Sequence, residues 1–292
     1  MSDPVANESG PVIIEAAING GTRREQQPHV PLSPAETAAD GLDCLAAGAA
    51  IVHQHDGPRG ADADLSLECY RTILQSYPQA LLYPTARLVG PGGPAGIHGL
   101  WDQHLAIDQG LRDAGLPRLR VALVDPGSVT LGNFVYGHTT DDIAYKFGQC
   151  REMGYGPSIA CFEPGFIRRV LEYREKGLLP AGSLVKLYFS GGRPLFGLPP
   201  TPWAFETYFR LIEGTGLNWA VAVLGGDVVE TGLAQMAIDR GGHVRVGLED
   251  FHSEGRTPRN AELVAEVAEL ARAAGRGVAT CAQAASILGL PH

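Results

Sequence analysis

The chain has 292 residues, of which 45% are hydrophobic and 19% are charged, a composition that excludes a disordered protein and supports a large buried core. Its 23 basic and 32 acidic residues give a net charge of −9, which argues against nucleic acid as a partner, because phosphate-binding surfaces cluster Lys and Arg. No apolar run reaches about 18 residues, so we predict no membrane span and no membrane partner.

The N-terminus and the cysteines indicate a cytoplasmic protein. Residues 1–11 are polar and acidic, without the apolar stretch of a signal peptide, and we interpret them as a flexible N-terminal arm. The five cysteines are odd in number, and no two of them are spaced as in a CxxC motif. We therefore expect reduced thiols and neither a disulfide framework nor a redox site.

From residue 12 onward, short apolar runs alternate with helical stretches. A strand predicted at 12–18 is followed by a helix to residue 47, which Ser33-Pro34-Ala35-Glu36 opens as a capping box with proline in the first turn. Further strands are predicted at 50–55, 80–85, 119–124, 158–162, 184–189, 219–224 and 244–248. Further helices are predicted at 65–76, 101–114, 141–153, 166–176, 202–213, 231–239, 260–274 and 283–288.

Eight strand–helix units in succession indicate parallel strands joined by helical crossovers. An open doubly wound sheet is the competing α/β architecture, but its G-x-G-x-x-G fingerprint is absent after the first strand, where the sequence reads Asn19-Gly20-Gly21-Thr22-Arg23-Arg24. The sequence therefore predicts a single (β/α)8 TIM barrel over residues 12–292. Chemistry in such a barrel is expected at the C-terminal ends of the strands.

Two histidines stand at the end of the second predicted strand. Side chains alternate along a strand, so His53 and His55 are expected to point the same way, toward the mouth of the barrel. Two imidazoles in this arrangement suit zinc or another divalent transition metal. Alternatively, they are hydrogen-bonded core histidines or a solvated surface pair.

The eighth predicted strand carries a second group of polar residues at its end. Period two places Arg245, Gly247 and Glu249 on one face, and the eighth strand contributes to the same barrel layers as the second. Glu249 could therefore complete a His₂Glu set with an open coordination position, which is typical of a catalytic site. The alternative is that Arg245 and Glu249 form a structural ion pair. Asp250 follows where the strand opens into its loop.

These segments resemble the β-keto acid cleavage enzymes, the family of the 3-keto-5-aminohexanoate cleavage enzyme. The resemblance runs from about residue 12 to the C-terminus and is most specific where the His-x-His and Arg-x-Gly-x-Glu-Asp segments occur together. The segments that carry it are Ala16-Ala17-Ile18-Asn19-Gly20, Pro31-Leu32-Ser33-Pro34-Ala35-Glu36, Ala47-Gly48-Ala49-Ala50-Ile51-Val52-His53-Gln54-His55, Gly241-Gly242-His243-Val244-Arg245-Val246-Gly247-Leu248-Glu249-Asp250 and Asn260-Ala261-Glu262-Leu263-Val264.

The resemblance implies a TIM-barrel enzyme that condenses a β-keto acid with acetyl-CoA and releases acetoacetate and a new acyl-CoA. It implies a zinc ion held by His53, His55 and Glu249, with another divalent transition metal as the alternative. It also implies an Arg245–Asp250 dyad with Asp250 as the base. On physical grounds, Arg245 is expected to orient Asp250 and to lower its pKa, since a nearby cation favours the carboxylate. The family resemblance further implies a homo-oligomer, often a tetramer.

The sequence departs from the family where the substrate is held. Family members carry Ser-Thr-Gly-Gly at the end of the third strand, whereas this chain reads Tyr83-Pro84-Thr85-Ala86-Arg87. We predict that Thr85 keeps a hydroxyl for the substrate and that Arg87 pairs with its carboxylate. Glu163, after the fifth strand, is predicted to support substrate binding. The family acid after the first strand is missing near Gly21-Thr22, so neutral or anionic substrates are expected.

Two other classes of function remain open from the sequence. One is a different metal-dependent barrel lyase or hydrolase; amidohydrolases also use His-x-His, but they place further histidines after the fifth and sixth strands, where this chain has none. The other is a non-catalytic acyl-CoA-binding relative. Lys186, inside the sixth strand, is interpreted as a lysine paired with a carboxylate, with a Schiff-base lysine as the alternative.

Overall fold

Parallel strands alternate with helices throughout the computed structural model, which describes residues 10–56, 62–85 and 101–290. The barrel strands are β1 (Ile14–Ala17), β2 (Ile51–Gln54), β3 (Leu81–Pro84), β4 (Val121–Leu123), β7 (Gly156–Cys161), β8 (Leu184–Ser190), β9 (Asn218–Leu224) and β10 (His243–Val246). A hairpin adds β5 (Val129–Leu131) and β6 (Phe134–Tyr136). The helices are α1 (Pro34–Ala47), α2 (Ala63–Ser76), α3 (Asp102–Asp113), α4 (Thr140–Met153), α5 (Pro164–Glu175), α6 (Pro202–Ile212), α7 (Leu233–Asp239), α8 (Asn260–Ala273) and α9 (Cys281–Leu288).

The eight barrel strands form one parallel sheet in the order β3-β2-β1-β10-β9-β8-β7-β4. Its two edge strands, β3 and β4, pack against each other, so the sheet curls into a nearly closed barrel with the helices outside. The predicted TIM barrel is confirmed, as is the Ser33 capping box of α1. Most of the predicted N-terminal arm, residues 1–9, lies outside the described residues, so the boundary at residue 12 stays a prediction.

The structure adds the β5–β6 hairpin, which the sequence did not predict. Its strands are three residues long and pair antiparallel from Val129↔Tyr136 to Leu131↔Phe134. The turn between them contains Gly132 with φ of +62°, a conformation that glycine adopts without strain. Because the hairpin follows the C-terminal end of β4, it stands beside the mouth of the barrel.

The two barrel strands that lead to the predicted metal ligands end earlier than predicted. β2 ends at Gln54, so His55 is the first residue beyond it, and β10 ends at Val246, before Glu249. The chain leaves β10 at Gly247, whose φ is +148° and whose missing Cβ atom would lie 2.1 Å from the Ala17 carbonyl oxygen. Glu249 therefore lies in a turn, and the period-two argument that placed it on a strand face was wrong in this detail.

The N-terminal end of the barrel is closed by α9. Ile13 directly precedes β1, Ile51 and Leu184 begin β2 and β8, and all three are fully or almost fully buried. They form one apolar cluster with Ala284 and Leu288 of α9. Only the C-terminal end of the barrel is therefore left for a site. Among the described residues, no helix has both the length and the apolar character that crossing a membrane requires.

We expect Arg276→Ala to destabilise the barrel, because this side chain joins the N-terminal segment to the turn before β10. Arg276 is 3% exposed; its Nε donates to the Gly10 carbonyl at 2.9 Å and its Nη1 to the carbonyls of Ile238 and Gly242, each at 2.8 Å. Losing these bonds should lower the free energy of unfolding by about 3 kcal/mol. Urea denaturation measures it, with exposed Arg272→Ala as the control; equal effects of the two variants would contradict the assigned role.

Candidate active site

Three predicted side chains converge at the mouth of the barrel. His53 is on β2, His55 follows that strand, and Glu249 lies in the turn after β10. One ligand atom from each lies within 4.8 Å of the others. The His53 Nε2 and His55 Nε2 atoms are each 3.4 Å from a different carboxylate oxygen of Glu249. The centroids of the two imidazole rings are only 5.1 Å apart. This distance is shorter than the spacing between successive inward-facing residues of a strand, because the chain turns at His55.

The hydrogen bonds of these side chains show that the group fits a divalent transition metal. The Nδ1 atom of His53 is 3.2 Å from the Tyr83 carbonyl oxygen. Because a carbonyl only accepts, Nδ1 carries the proton and the Nε2 lone pair is free. It faces the Oε2 atom of Glu249, which is buried and has no hydrogen-bond partner. Burial also lowers the pKa of His53 to about 4, so the imidazole is neutral. A cation between two such acceptors would remove their repulsion.

The backbone of His55 is clamped by a single amide side chain. Asn19, from the loop after β1, accepts a hydrogen bond from the His55 N–H at 2.8 Å through Oδ1. Its Nδ2 donates to the His55 carbonyl at 2.9 Å and to the Pro31 carbonyl at 3.3 Å. Asn19 is 5% exposed, so these bonds are shielded from water. The loop after β1 therefore fixes the orientation of the second imidazole.

The turn that carries Glu249 is held by the same loop. Gly20 has a φ of +52°, and a Cβ atom there would lie 2.3 Å from Glu249 Cγ, so no side chain fits. The Thr22 hydroxyl donates to the Leu248 carbonyl at 2.7 Å. The Leu248 N–H donates to Oδ1 of the fully buried Asn260 at 2.7 Å. Glu249 is thus fixed from both sides.

Arg245 connects the two carboxylates of the turn. Its Nη2 lies 2.8 Å from Glu249 Oε1, and its Nε and Nη2 donate to the two oxygens of Asp250 at 2.7 and 3.3 Å. Burial raises the pKa of Asp250 above its ordinary value, and Arg245 opposes this rise only in part. The expected lowering by Arg245 is present, but burial outweighs it. A carboxyl group with a raised pKa is the stronger base once it is ionised.

The remaining predicted residues lie in different settings. Thr85 is buried directly after β3, and its backbone N–H donates to the Gln54 carbonyl at 3.0 Å. Arg87 lies outside the described residues. Glu163 accepts a hydrogen bond from the Gly197 N–H at 2.8 Å, so it fixes the loop after β8. Lys186 is buried 2.9 Å from the carboxylate of Glu15, which favours the paired reading of this lysine.

Sequence reasoning missed three residues that shape this site: Glu15, Asn19 and Asn260. The two asparagines were undetectable, since Asn before Gly-Gly and Asn at a helix start are ordinary turn and cap residues. Glu15 did leave a signal, because an acid inside the apolar run Val12-Ile13-Ile14-Glu15-Ala16 requires a buried partner.

A profile of the beta-keto acid cleavage enzyme family matches residues 11–290. The chain belongs to this family. It is therefore an enzyme of the β-keto acid cleavage type, and the metal dependence of the family agrees with the cluster of His53, His55 and Glu249.

Curated members of the β-keto acid cleavage enzyme family resemble the chain over almost its whole length. A 3-keto-5-aminohexanoate cleavage enzyme from Fusobacterium nucleatum is 29% identical over 96% of this chain and 98% of its own. A 3-oxoadipate:acetyl-CoA acetyltransferase from Cupriavidus necator is 27% identical over 96% of this chain and 95% of its own. Among solved structures, ObcA in complex with oxaloacetate has a TM-score of 0.70 at 18% identity, covering 91% of this chain and 68% of that one. This last likeness concerns the fold.

We expect Asn19→Ala to weaken metal binding, because the His55 backbone loses both hydrogen bonds that orient its imidazole. The affinity for Zn²⁺, measured by competition with a chelator, should fall roughly 10–100-fold, as for other residues that support metal ligands. Asn218→Ala is the matched control, since that side chain donates to the Ile287 carbonyl at the opposite end of the barrel. His55→Ala should lower affinity further. An Asn19→Ala affinity equal to that of Asn218→Ala would contradict the assigned role.

Proposed function

We propose that this chain is a zinc-dependent β-keto acid cleavage enzyme that condenses a β-keto acid with acetyl-CoA and releases acetoacetate and a new acyl-CoA. The observation that carries the proposal is the convergence of His53, His55 and Glu249 beside the Arg245–Asp250 pair. The full-length similarity to a named 3-oxoadipate:acetyl-CoA acetyltransferase supports acetyl-CoA as the second substrate.

The donor set supports zinc as the metal. Two neutral imidazoles and one carboxylate are the ligands of many catalytic zinc sites, which keep a further position open for substrate. When bound, Zn²⁺ supplies Lewis-acid polarisation of the substrate's keto oxygen. Arg245 engages Glu249 Oε1 and leaves Oε2 toward His53, so the protein presents one carboxylate oxygen to the metal position.

Asp250 is the base of the proposed reaction. It removes a proton from the carbon between the keto and carboxylate groups of the β-keto acid. Arg245 holds both oxygens of Asp250 in one plane and stabilises the ionised form against burial. A positioned base of this kind contributes roughly 10²–10⁴-fold to a rate.

The bond changes after proton removal follow from the two substrates. The enolate carbon attacks the thioester carbonyl of acetyl-CoA, so a carbon–carbon bond forms and the carbon–sulfur bond breaks to release the CoA thiolate. The thiolate then adds to the original keto carbon, the bond between that carbon and the enolate carbon breaks, and the departing acetoacetate enolate takes back the proton held by Asp250. The two carbons of the acetyl group and the two carbons of the carboxymethyl fragment leave as acetoacetate, while the rest of the β-keto acid leaves as acyl-CoA.

For substrate binding, we propose that Thr85 and Arg87 hold the carboxylate of the β-keto acid and that Glu163 acts through the loop it fixes after β8. Thr22, at the place of the family acid, donates to a backbone carbonyl and carries no charge. Arg24 is paired with Glu36 on the surface at 2.6 Å, so its charge is compensated away from the mouth.

We further propose a cytoplasmic homo-oligomer, and a tetramer specifically. The five cysteines are free thiols, four of them buried, which agrees with a reducing compartment. Val135, Leu195 and Trp203 are large apolar side chains more than half exposed in the single chain, and contact between subunits would remove such surface from water. Light scattering of the purified protein measures the subunit number.

The charge of the substrate is expected to affect turnover. Since Thr22 stands where the family has an acid, an amino-bearing β-keto acid would be desolvated without that counter-charge, unless another carboxylate such as Glu163 supplies it. We expect neutral and anionic β-keto acids to have higher kcat/KM values. Three β-keto acids of similar length test both this order and the reaction: one with a second carboxylate, one with an uncharged side chain and one with an amino group. For each, acetyl-CoA consumption and acetoacetate release are measured. A preference for the amino substrate would refute the order, and no turnover with any acid would refute the reaction.

We expect Asp250→Asn to keep the fold and the metal but to lose turnover by roughly 10²–10⁴-fold, because the amide cannot accept the substrate proton. Elemental analysis should find about one zinc per chain in both the wild type and the variant. Asp239→Asn, on the outer helix α7, is the control for the same change of side chain. Near-normal turnover of Asp250→Asn would rule out its role as base.

A further inference from the structure

A carboxylate without an assigned role lies below the candidate metal ligands. Glu15 on β1 is 1% exposed and is two residues nearer the N-terminal end of the barrel than the level of His53. Its Oε1 accepts hydrogen bonds from the Tyr83 hydroxyl at 2.6 Å, Arg245 Nη1 at 2.8 Å and Lys186 Nζ at 2.9 Å. One carboxylate oxygen therefore has three donors, which leaves it no capacity to bind substrate.

The sheet register makes Glu15 the direct neighbour of Arg245. The two residues are partners across the parallel strands β1 and β10. Arg245 uses Nε and Nη2 toward the mouth, where they engage Asp250 and Glu249. Glu15 takes the remaining nitrogen, Nη1, on the opposite side. The guanidinium is thus held at three nitrogens by three carboxylates, and of these three Glu15 alone lies on the side away from the mouth.

Lys186 allows this carboxylate to remain ionised inside the barrel. Burial by itself would raise the pKa of Glu15, but Lys186 and then Arg245 lower it, to about 2 overall. Charge-assisted hydrogen bonds between buried groups are stronger and more directional than neutral ones. If the acceptor were lost, Nη1 would keep only the Tyr83 hydroxyl, at 3.3 Å, and that hydroxyl is itself oriented by Glu15.

We propose that Glu15 is a positioning residue: by holding Arg245 Nη1, it keeps the guanidinium in the plane that aligns Asp250 as base and Glu249 as metal ligand. Lys186 has the separate role of counter-charge. The inference rests on the proposed function for its kinetic consequence, but its geometric consequence, the alignment of Glu249, does not depend on which substrate is used.

Two double variants separate positioning from stability. In Glu15→Gln/Lys186→Met the buried charges are removed but an amide oxygen remains to accept from Arg245 Nη1. In Glu15→Met/Lys186→Met the acceptor is removed as well, with a side chain of similar volume. Replacing a buried ion pair by apolar groups is often neutral for stability. We therefore expect both variants to fold, and the Tyr83 hydroxyl, which stays within 3.3 Å of Arg245 Nη1, to limit the difference between their thermal unfolding midpoints.

The two variants should differ in kcat and in zinc affinity. We expect kcat to be roughly 10–100-fold lower in Glu15→Met/Lys186→Met than in Glu15→Gln/Lys186→Met, with the KM for acetyl-CoA little changed. Zinc affinity, measured by chelator competition, should fall in the same order, because Glu249 loses its alignment. Asp108→Asn is the control for losing a buried carboxylate elsewhere; Asp108 accepts hydrogen bonds from Arg112, Tyr155 and the Leu119 N–H outside the barrel. It should lower the unfolding midpoint and leave kcat unchanged.

Equal kcat and equal zinc affinity in the two double variants would overturn the proposal and reduce the Glu15 contacts to a structural ion pair. If the wild type turns over no β-keto acid, the proposed function fails by itself. The zinc comparison still decides the role of Glu15 in that case: lower affinity without the acceptor supports positioning, and equal affinity refutes it.

Discussion

The contacts of Arg245 with three carboxylates are the interaction on which the rest of the site depends. Glu15, Glu249 and Asp250 would repel one another inside a barrel that excludes water, and burial disfavours each of their charges. Arg245 forms ion pairs with all three, and Lys186 adds a second positive charge below them. This group keeps one uncompensated negative charge, which a divalent cation would convert to a single positive charge. Such a site suits an anionic β-keto acid.

The position of these charged side chains follows from the structure of the two ends of the barrel, one closed by a helix and the other formed by loops. Apolar residues near the beginnings of the strands pack against α9, and the candidate ligands lie at the other ends of β2 and β10. There the loop after β1 holds its neighbours on both sides: Asn19 fixes His55 after β2, and Thr22 fixes the turn after β10. Gly20 permits the close approach of Glu249. The loop therefore supports two of the three candidate ligands, His55 and Glu249.

Relatives of this chain agree in length but differ in the substrates that their names give. The curated relatives match this chain over nearly their whole length, yet their names describe an amino-bearing and a dicarboxylic β-keto acid. Membership of the family is therefore compatible with substrates of opposite charge. The substrate preference proposed for this chain rests on Thr22 and Thr85.

The architecture and the residues of the candidate site could be predicted from the sequence alone. Eight strand–helix units predict a barrel because parallel strands need helical crossovers, and the spacing of His53, His55, Arg245 and Asp250 identifies residues at strand ends. Local periodicity could not show that Gly247 ends β10 and carries Glu249 into a turn, nor that two three-residue strands form a hairpin. It also could not pair Glu15 with Arg245 or Asn19 with His55. Glu15 and Arg245 are 230 positions apart in the chain and become neighbours only when β1 and β10 meet as the barrel closes.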